Sequence, residues 1–203
     1  MKIVCCMPTY KVMDTKCVQS LVQFQASLLN DGHHVTFIFA NNCYITYARN
    51  SLLKAAASVP DADYVLCLDS DHIYDYKQLY KLIADLEDNN LELLSAKYYV
   101  RNGFIRPRKI AALRLNKEKV LEQLDGDGEK QEFGVQEVDA IGFGFLLLKH
   151  RFVKELIEKK IKLFQITEMA EDIYFCDVVK QLGYKVCYDA DVVVGHMSTI
   201  VNQ

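Results

Sequence analysis

The sequence predicts an α/β protein: a single domain with a mostly parallel central sheet, helices on both faces, and a smaller mixed region in its second half. In residues 1–100, short apolar runs alternate strictly with segments of helical periodicity, an order typical of parallel sheets covered by helices. One of these runs, Tyr64–Leu68, leads directly into two carboxylates, Asp69 and Asp71. The chain has 203 residues and is 51% hydrophobic, which is enough for the core of such a domain.

The first half provides four predicted strands and three predicted helices. The strands are Lys2–Met7, Val35–Ala40, Tyr64–Leu68 and Leu91–Ala96. The first helix carries apolar side chains at helical spacing and stops at Gly32, and the second spans Tyr44–Ser58, before Pro60. Asp75 is placed to cap the third helix, with Gln78 as its capping-box partner.

The second half has a different character. Arg101–Lys119 carries seven basic residues against one acid, and Asp125-Gly126-Asp127-Gly128 is a turn signal. The predicted elements that follow are strands Gln131–Asp139 and Phe143–Lys149, helices Arg151–Lys159 and Glu171–Leu182, and a closing strand pair, Lys185–Tyr188 and Val192–Val194. No linker or repeat interrupts the chain, so residues 1–203 are predicted as one domain, with a nucleotide-type half (1–100) and a mixed half (101–203).

Composition excludes several classes of protein. A net charge of −3 and a pI of about 6.0 argue against a general nucleic-acid binder. No apolar stretch is long enough for a transmembrane segment, and the amino terminus lacks the features of a signal peptide. Seven scattered cysteines without a C-x₂-C pair indicate reduced thiols in a cytoplasmic protein rather than a zinc site.

Asp69 and Asp71 are the strongest candidates for chemistry. They follow a buried strand, and ligands of open α/β sheets bind at the carboxyl ends of strands. Two neighbouring carboxylates repel each other unless a cation lies between them, and Mg²⁺ or Mn²⁺ prefers carboxylates together with phosphate oxygens. A single Asp here would more often form a turn or cap a helix, but the pair favours a metal that holds a diphosphate.

Three further groups of residues are predicted at the same edge. After the first strand, Pro8, Thr9 and Tyr10 can line a nucleoside pocket, and a plain turn is an equal alternative. Arg49 can reach the carboxylates or a phosphate, or lie on a solvated helix face. After the fourth strand, Lys97 and Arg101 can attract a diphosphate, although a basic surface loop is slightly favoured for each residue taken alone.

The second half contributes weaker signals. Gly142 and Gly144 lack the third glycine of a dinucleotide fingerprint, so they are expected to admit a ligand close to the backbone or to accommodate a bulge. Glu168, Glu171 and Asp172 cluster where a helix begins; the helix dipole explains acids there, but one of them can also serve as a general base or bind sugar hydroxyls. His196 follows an apolar strand and is more often structural than a metal ligand, unless a metal already lies at Asp69 and Asp71.

Taken in order, these motifs resemble those of the GT-A glycosyltransferases. The resemblance covers nearly the whole chain and rests on these segments: Ala48-Arg49-Asn50, Asp69-Ser70-Asp71, Gly142-Phe143-Gly144-Phe145, Glu171-Asp172, Phe175-Cys176, Leu182-Gly183-Tyr184-Lys185, and Val192 to His196. The short chain also resembles the compact glycosyltransferase domains encoded by large algal DNA viruses, which would place the protein in the host cytoplasm.

The resemblance implies a nucleotide-sugar donor, usually UDP-linked, a glycan or glycoprotein acceptor, and Mn²⁺ or Mg²⁺ across the diphosphate. It implies that Asp71 and His196 bind the metal, and that Asp69 contacts ribose or the metal shell. Either Glu171 or Asp172, with Asp172 slightly favoured, would be the base of an inverting enzyme. The residues expected to bind the donor are Pro8, Thr9, Tyr10, Arg49, Asp69, Ser70, Lys97, Arg101, Gly142 and Gly144.

Two other functions remain open from the sequence. Phosphatases of the haloacid-dehalogenase type also use Asp-x-Asp, but after their first strand, whereas Asp69 follows the third predicted strand here and Ile73 stands where Thr or Val is usual. A catalytically inactive module that binds a nucleotide-sugar is the second alternative. UDP binding without turnover would favour it.

Overall fold

A computed structural model describes residues 1–101, 108–127 and 132–197 of this α/β fold. Arg106, Gly128 and Gln131, which belong to segments named above, lie outside the described residues. The strands are β1 Lys2–Thr9, β2 His34–Asn41, β3 Tyr64–Leu68, β4 His72–Ile73, β5 Leu93–Lys97, β6 Lys109–Leu115, β7 Leu121–Asp125, β8 Val135–Glu137, β9 Ala140–Ile141, β10 Phe145–Lys149, β11 Cys187–Val193 and β12 Gly195–His196. The helices are α1 Thr15–Asn30, α2 Ile45–Ala57, α3 Tyr76–Asp88, α4 His150–Glu158 and α5 Glu171–Gln181.

The central sheet has seven strands in the order β2-β1-β3-β10-β5-β11-β8. β1 runs parallel to β2 and β3, and β11 runs parallel to β5. β10 is antiparallel to both β3 and β5, and β8 is antiparallel to β11. The predicted mostly parallel sheet is therefore confirmed, and the carboxyl ends of β1, β3, β5 and β11 meet at one edge. Strands from both predicted halves of the chain share this sheet.

Alternating side chains of the central strands face two separate cores. On one face, Val4 and Val65 pack in a cluster with residues of α2, α4 and α5. On the other face, Ile3 and Leu66 pack with residues of α1 and α3. Strands buried on both faces appear in the sequence as continuous apolar runs, which is why β1 and β3 were predictable.

Local signals fixed the helix boundaries of the first half. The Asp75 side chain accepts a hydrogen bond from the N–H of Lys77, and Gln78 completes the predicted capping box of α3. Gly32, just beyond the end of α1, adopts φ +78°, a left-handed conformation that suits glycine. Within the described residues, none of the helices is both long and apolar enough to cross a bilayer.

The second half departs from prediction in three places. Residues 101–119 were given no strand, yet β6 lies there and forms a three-stranded sheet with β7 and β9. The strand predicted over Gln131–Asp139 is too long: only β8 lies within that range, and the chain then bends before β9, which joins the other sheet. The predicted closing pair is also wrong, since β11 runs continuously through a register shift between Asp189 and Val193.

One buried acid makes the stability of this fold pH-dependent. Asp189 in β11 is fully buried, and Lys81 Nζ lies 3.6 Å from its Oδ2. Burial, followed by a hydrogen bond with Asp85, raises the pKa of Asp189 to about 6. A raised pKa in the folded state means that the neutral acid stabilises the fold, and that this contribution is lost as pH rises through about 6.

We expect Asp189→Asn to remove this pH dependence, because asparagine keeps the shape and stays neutral. Relative to the parent chain, the variant should gain about 1–3 kcal/mol in free energy of unfolding between pH 4 and pH 7. Urea denaturation at several pH values measures this change. If the free energies of unfolding of variant and parent differed by the same amount at every pH in that range, Asp189 would not be the titrating group.

Candidate active site

The candidate site lies where β3 ends at the carboxyl edge of the sheet. Asp69 directly follows β3, and Asp71 directly precedes β4. β12 pairs antiparallel with β4, with His196 opposite His72. The N–H of Met197 also donates to the Asp71 carbonyl over 2.9 Å. This pairing brings His196 to Asp71, although the two residues are 125 positions apart in the chain.

Asp71 is surrounded by cationic and hydrogen-bonding groups. His72 Nδ1 lies 2.8 Å from its Oδ1, His196 Nε2 lies 3.4 Å from its Oδ2, and the Arg101 guanidinium donates to the same Oδ2. Burial alone raises the pKa of the Asp71 carboxyl, but the hydrogen bonds from His196 and His72 hold it well below its usual range. Asp71 is therefore ionised at neutral pH.

His196 is oriented with one ring nitrogen toward Asp71. Its Nδ1 lies 2.7 Å from the Tyr99 carbonyl, which can only accept a hydrogen bond, so Nδ1 carries the hydrogen and donates it. Burial lowers the pKa of His196, but the hydrogen bonds to Asp71 and to the Tyr99 carbonyl, together with the negative charge of Asp71, raise the pKa overall. A histidine fixed through one nitrogen to a backbone carbonyl is the usual arrangement of a metal-binding imidazole.

These residues fit a divalent cation. Asp71, His72 and His196 each offer one ligand atom, and the three atoms lie within 4.8 Å of one another. One carboxylate with an imidazole suits Mn²⁺ as well as zinc-like ions, whereas Mg²⁺ prefers oxygen ligands alone. Of the three predicted metal residues, the structure brings Asp71 and His196 together, while the carboxylate of Asp69 is paired elsewhere.

Arg49 connects Asp69 to the start of α5. Its guanidinium lies 3.3 Å from Asp69 Oδ1 through Nη2 and 3.1 Å from Glu171 Oε1 through Nε, and it stacks 4.6 Å from the centre of the Phe143 ring. Arg49 is only 8% exposed, so it does not lie on a solvated helix face. Burial lowers the pKa of Arg49, but the charges of Asp69 and Glu171 raise it overall. This chain of contacts fixes Glu171 relative to the Asp-x-Asp segment.

Asp172 differs from its neighbour. Its Oδ1 accepts a hydrogen bond from the N–H of Ile173 over 2.8 Å, and its pKa is raised, first by burial and then by the negative charge of Glu171. Asp69 and Arg49 are also near enough to shift the pKa of Asp172. Glu168, in contrast, is exposed and lines a separate, mostly apolar groove beside Met169.

A cavity of about 870 Å³ opens onto Asp71, within the range usual for small-molecule sites. Its lining includes the predicted residues Ser70, Asp71, Arg101 and His196. It also includes a segment that the sequence did not suggest, Val12, Met13, Asp14, Thr15 and Lys16. A cavity of about 920 Å³ lies at the opposite end of β3, beside Tyr64 and Lys149, and is remote from these carboxylates.

Four other predicted residues lie at the same edge but not in the described lining of that cavity. Pro8 and Thr9 end β1, where the Thr9 hydroxyl donates to Asn41, and Tyr10 is 66% exposed. Lys97 ends β5, and its ammonium lies 5.9 Å from the centre of the Tyr99 ring. Their predicted contacts with the donor therefore stay predictions.

In the structure, Gly142 and Gly144 leave room for neighbouring side chains of the protein itself. A Cβ at Gly142 would lie 1.9 Å from the Tyr98 hydroxyl, and a Cβ at Gly144 would lie 2.6 Å from His72 Nε2. The N–H of Gly144 also donates to the Tyr98 hydroxyl over 3.1 Å. Both glycines let these buried rings approach the backbone, and direct contact of either glycine with a ligand stays a prediction.

Sequence reasoning missed His72, Tyr74 and Tyr98. The Tyr74 hydroxyl donates to the Asp69 carbonyl and lies 3.2 Å from the Gly144 carbonyl. His72 was detectable, because it immediately follows Asp71, and an imidazole beside a candidate metal ligand is itself a signal. The tyrosines gave no such signal, because only the fold brings Tyr98 to Gly144.

Comparison with known proteins agrees with this fold. The family model of Glycosyl transferase family 2 matches residues 12–153. The fold is similar to the crystal structure of A197 from STIV, with a TM-score of 0.59 at 16% identity, covering 100% of this chain and 97% of that one. It is also similar to the crystal structure of GalNAc-T7 with UDP, GalNAc and Mn²⁺, with a TM-score of 0.63 at 13% identity, covering 98% of this chain and 43% of that one. No curated protein sequence matches the chain.

Proposed function

Because the chain belongs to Glycosyl transferase family 2, we propose that it transfers a sugar from a nucleotide-sugar, a UDP-sugar, to a glycan or protein acceptor with the help of Mn²⁺ or Mg²⁺. The metal dependence is supported by one observation: Asp71 and His196 lie next to each other, and both line a cavity of about 870 Å³. That cavity is large enough for a nucleotide-sugar, and its lining mixes apolar side chains with charged ones.

Asp71 and His196 would hold the metal, since their ligand atoms face each other and both side chains are already fixed by neighbours. The cation, when bound, neutralises the negative charge that develops on the leaving diphosphate. Arg101 adds a second positive charge beside Asp71, within the same cavity. When the donor binds, the Arg101 guanidinium can leave Asp71 and hydrogen-bond to a phosphate oxygen instead, because planar guanidinium groups bind both carboxylates and phosphates well.

Asp69 and Glu171 are both paired with Arg49. This leaves Asp172 as the carboxylate best suited to accept a proton from an acceptor hydroxyl. Its raised pKa supports this role, because a base whose pKa lies closer to the working pH removes a proton more effectively. This assignment makes the enzyme inverting, with Glu171 positioning rather than reacting.

Calorimetric titration with UDP tests the donor and the metal together. We expect UDP to bind at least about tenfold more tightly with Mn²⁺ than with EDTA, because the diphosphate and the Asp71 carboxylate are both negatively charged and a cation would offset their repulsion. UMP, which lacks the second phosphate, is the matched control and should gain much less from Mn²⁺. Equal affinity of UDP in Mn²⁺ and in EDTA would overturn the proposed metal dependence.

Release of free nucleotide from a panel of UDP- and GDP-sugars then distinguishes an enzyme from an inactive binding module. Turnover with one donor supports transferase activity. Tight binding of UDP and Mn²⁺ without turnover of any donor or acceptor would instead identify a binding module. The family match removes the reason for a phosphatase, which rested only on the Asp-x-Asp spacing.

A further inference from the structure

His72 is the most deeply buried polar side chain of the site, at 1% exposure. Its ring lies parallel to that of His196, with centroids 4.3 Å apart and an interplanar angle of 7°. The Tyr98 ring meets it edge-on at 4.7 Å and 89°. The position of His72 is fixed by the backbone pairing of β4 with β12, so its ring supports one face of the His196 ring.

The two ring nitrogens of His72 have different surroundings. Nδ1 lies 2.8 Å from Asp71 Oδ1, whereas Nε2 has no hydrogen-bond partner among the residues that the structure describes. Nε2 faces Gly144, where a Cβ would come within 2.6 Å of it. A buried N–H without an acceptor is costly, so the hydrogen belongs on Nδ1, which donates it to Asp71.

This tautomer decides what His72 can do. With its hydrogen on Nδ1, the nitrogen that faces Asp71 has no lone pair for a metal, and the nitrogen with a free lone pair faces the backbone of Gly144. His72 therefore lies near the metal ligands without being one. His72 donates a hydrogen bond to Asp71 Oδ1, and this orients the carboxylate so that Oδ2 faces His196 Nε2.

We propose that His72 is a positioning residue of the metal site: it orients the Asp71 carboxylate by hydrogen bonding and the His196 ring by stacking, and Gly144 supplies the space that it needs. This inference rests on the proposed metal-dependent function. Groups that orient metal ligands in this way typically contribute 10–100-fold to metal affinity. His72 should therefore strengthen Mn²⁺ binding by about that factor.

Two substitutions of nearly equal size test the hydrogen bond. Asparagine carries its amide nitrogen the same number of bonds from Cα as Nδ1, so His72→Asn keeps a donor toward Asp71, whereas His72→Leu has none. With saturating UDP, we expect His72→Leu to bind Mn²⁺ about 10–100-fold more weakly than the parent chain. His72→Asn should recover most of that loss. Free Mn²⁺ is measured by its EPR signal.

His150→Leu is the matched control. His150 is also buried, at 6% exposure, but its Nε2 hydrogen-bonds to the Ala56 carbonyl away from the site. Its loss should lower the melting temperature and leave Mn²⁺ affinity unchanged. Parent-like Mn²⁺ affinity in His72→Leu, or equal weakening in His72→Leu and His72→Asn, would overturn the positioning role. Absence of Mn²⁺ binding by the parent chain would instead overturn the proposed metal dependence itself.

Pulsed EPR of the Mn²⁺–UDP complex separates positioning from direct ligation. Nitrogen bound directly to Mn²⁺ modulates the spin echo. We expect this modulation to persist in His72→Leu and to disappear in His196→Gln, because His196 is the bound imidazole. Nitrogen modulation that survives in His196→Gln and vanishes in His72→Leu would make His72 a ligand and overturn the inference.

Discussion

Asp71→Asn is expected to abolish both Mn²⁺-dependent UDP binding and sugar transfer. The substitution keeps the size of the side chain, and its remaining oxygen can still accept a hydrogen bond from His72. It removes the negative charge, however, and places an amide N–H₂ group near His196 Nε2, where the metal is proposed to bind. Loss of a direct ligand should weaken Mn²⁺ by more than the roughly 10–100-fold typical of its supporting neighbours.

Calorimetry with Mn²⁺ and UDP measures the loss, and Asp125→Asn serves as control. Asp125 is an exposed carboxylate paired with Lys109, so its substitution also removes one negative charge but touches no part of the site. The control should bind Mn²⁺ and UDP like the parent chain. If Asp71→Asn does so too, the metal site is misassigned.

Prediction from sequence was reliable for the first half because several signals coincided there. β1 and β3 are buried on both faces, so their apolar runs are unbroken. Asp75 with Gln78 and the left-handed Gly32 mark the ends of helices. In the second half, β7 and β8 are short and only partly buried. β7, for example, has a mixture of exposed and half-buried residues, so its hydrophobic pattern is weak.

For the site residues, the position along the sheet edge was easier to predict than the partner of each side chain. Asp69, Asp71 and Arg101 could be assigned to one sheet edge from the alternation of strands and helices. The partner of each charge was not predictable, because it depends on contacts between distant segments. Arg49 illustrates this, since it pairs with Asp69 and Glu171, the latter 122 positions away. The role of Gly144 likewise depends on the ring of His72, which only the β4–β12 pairing brings there.

Asp172→Asn is expected to reduce sugar transfer by roughly 10²–10⁴-fold, the usual contribution of general-base catalysis. UDP and Mn²⁺ should still bind, because the proposed ligands Asp71 and His196 are untouched. In the parent enzyme, the rate should rise with pH through the pKa of Asp172, since only the ionised carboxylate can accept a proton. Burial and Glu171 raise that pKa, so the rise should fall at a higher pH than for an ordinary carboxylate.

Glu171→Gln is the matched variant that separates the two acids. Its amide cannot raise the pKa of Asp172 as the carboxylate of Glu171 does, so the rise in rate should move to lower pH while transfer persists. If these acids only stabilised the start of α5 through the helix dipole, either substitution would lower the free energy of unfolding by about 0.3–1 kcal/mol and leave turnover near normal. Rates of transfer between pH 4 and pH 8, together with melting temperatures, distinguish the two cases. Near-parent turnover of both amide variants would exclude an inverting mechanism that uses this pair, and would favour a retaining one in which both residues only orient the sugars.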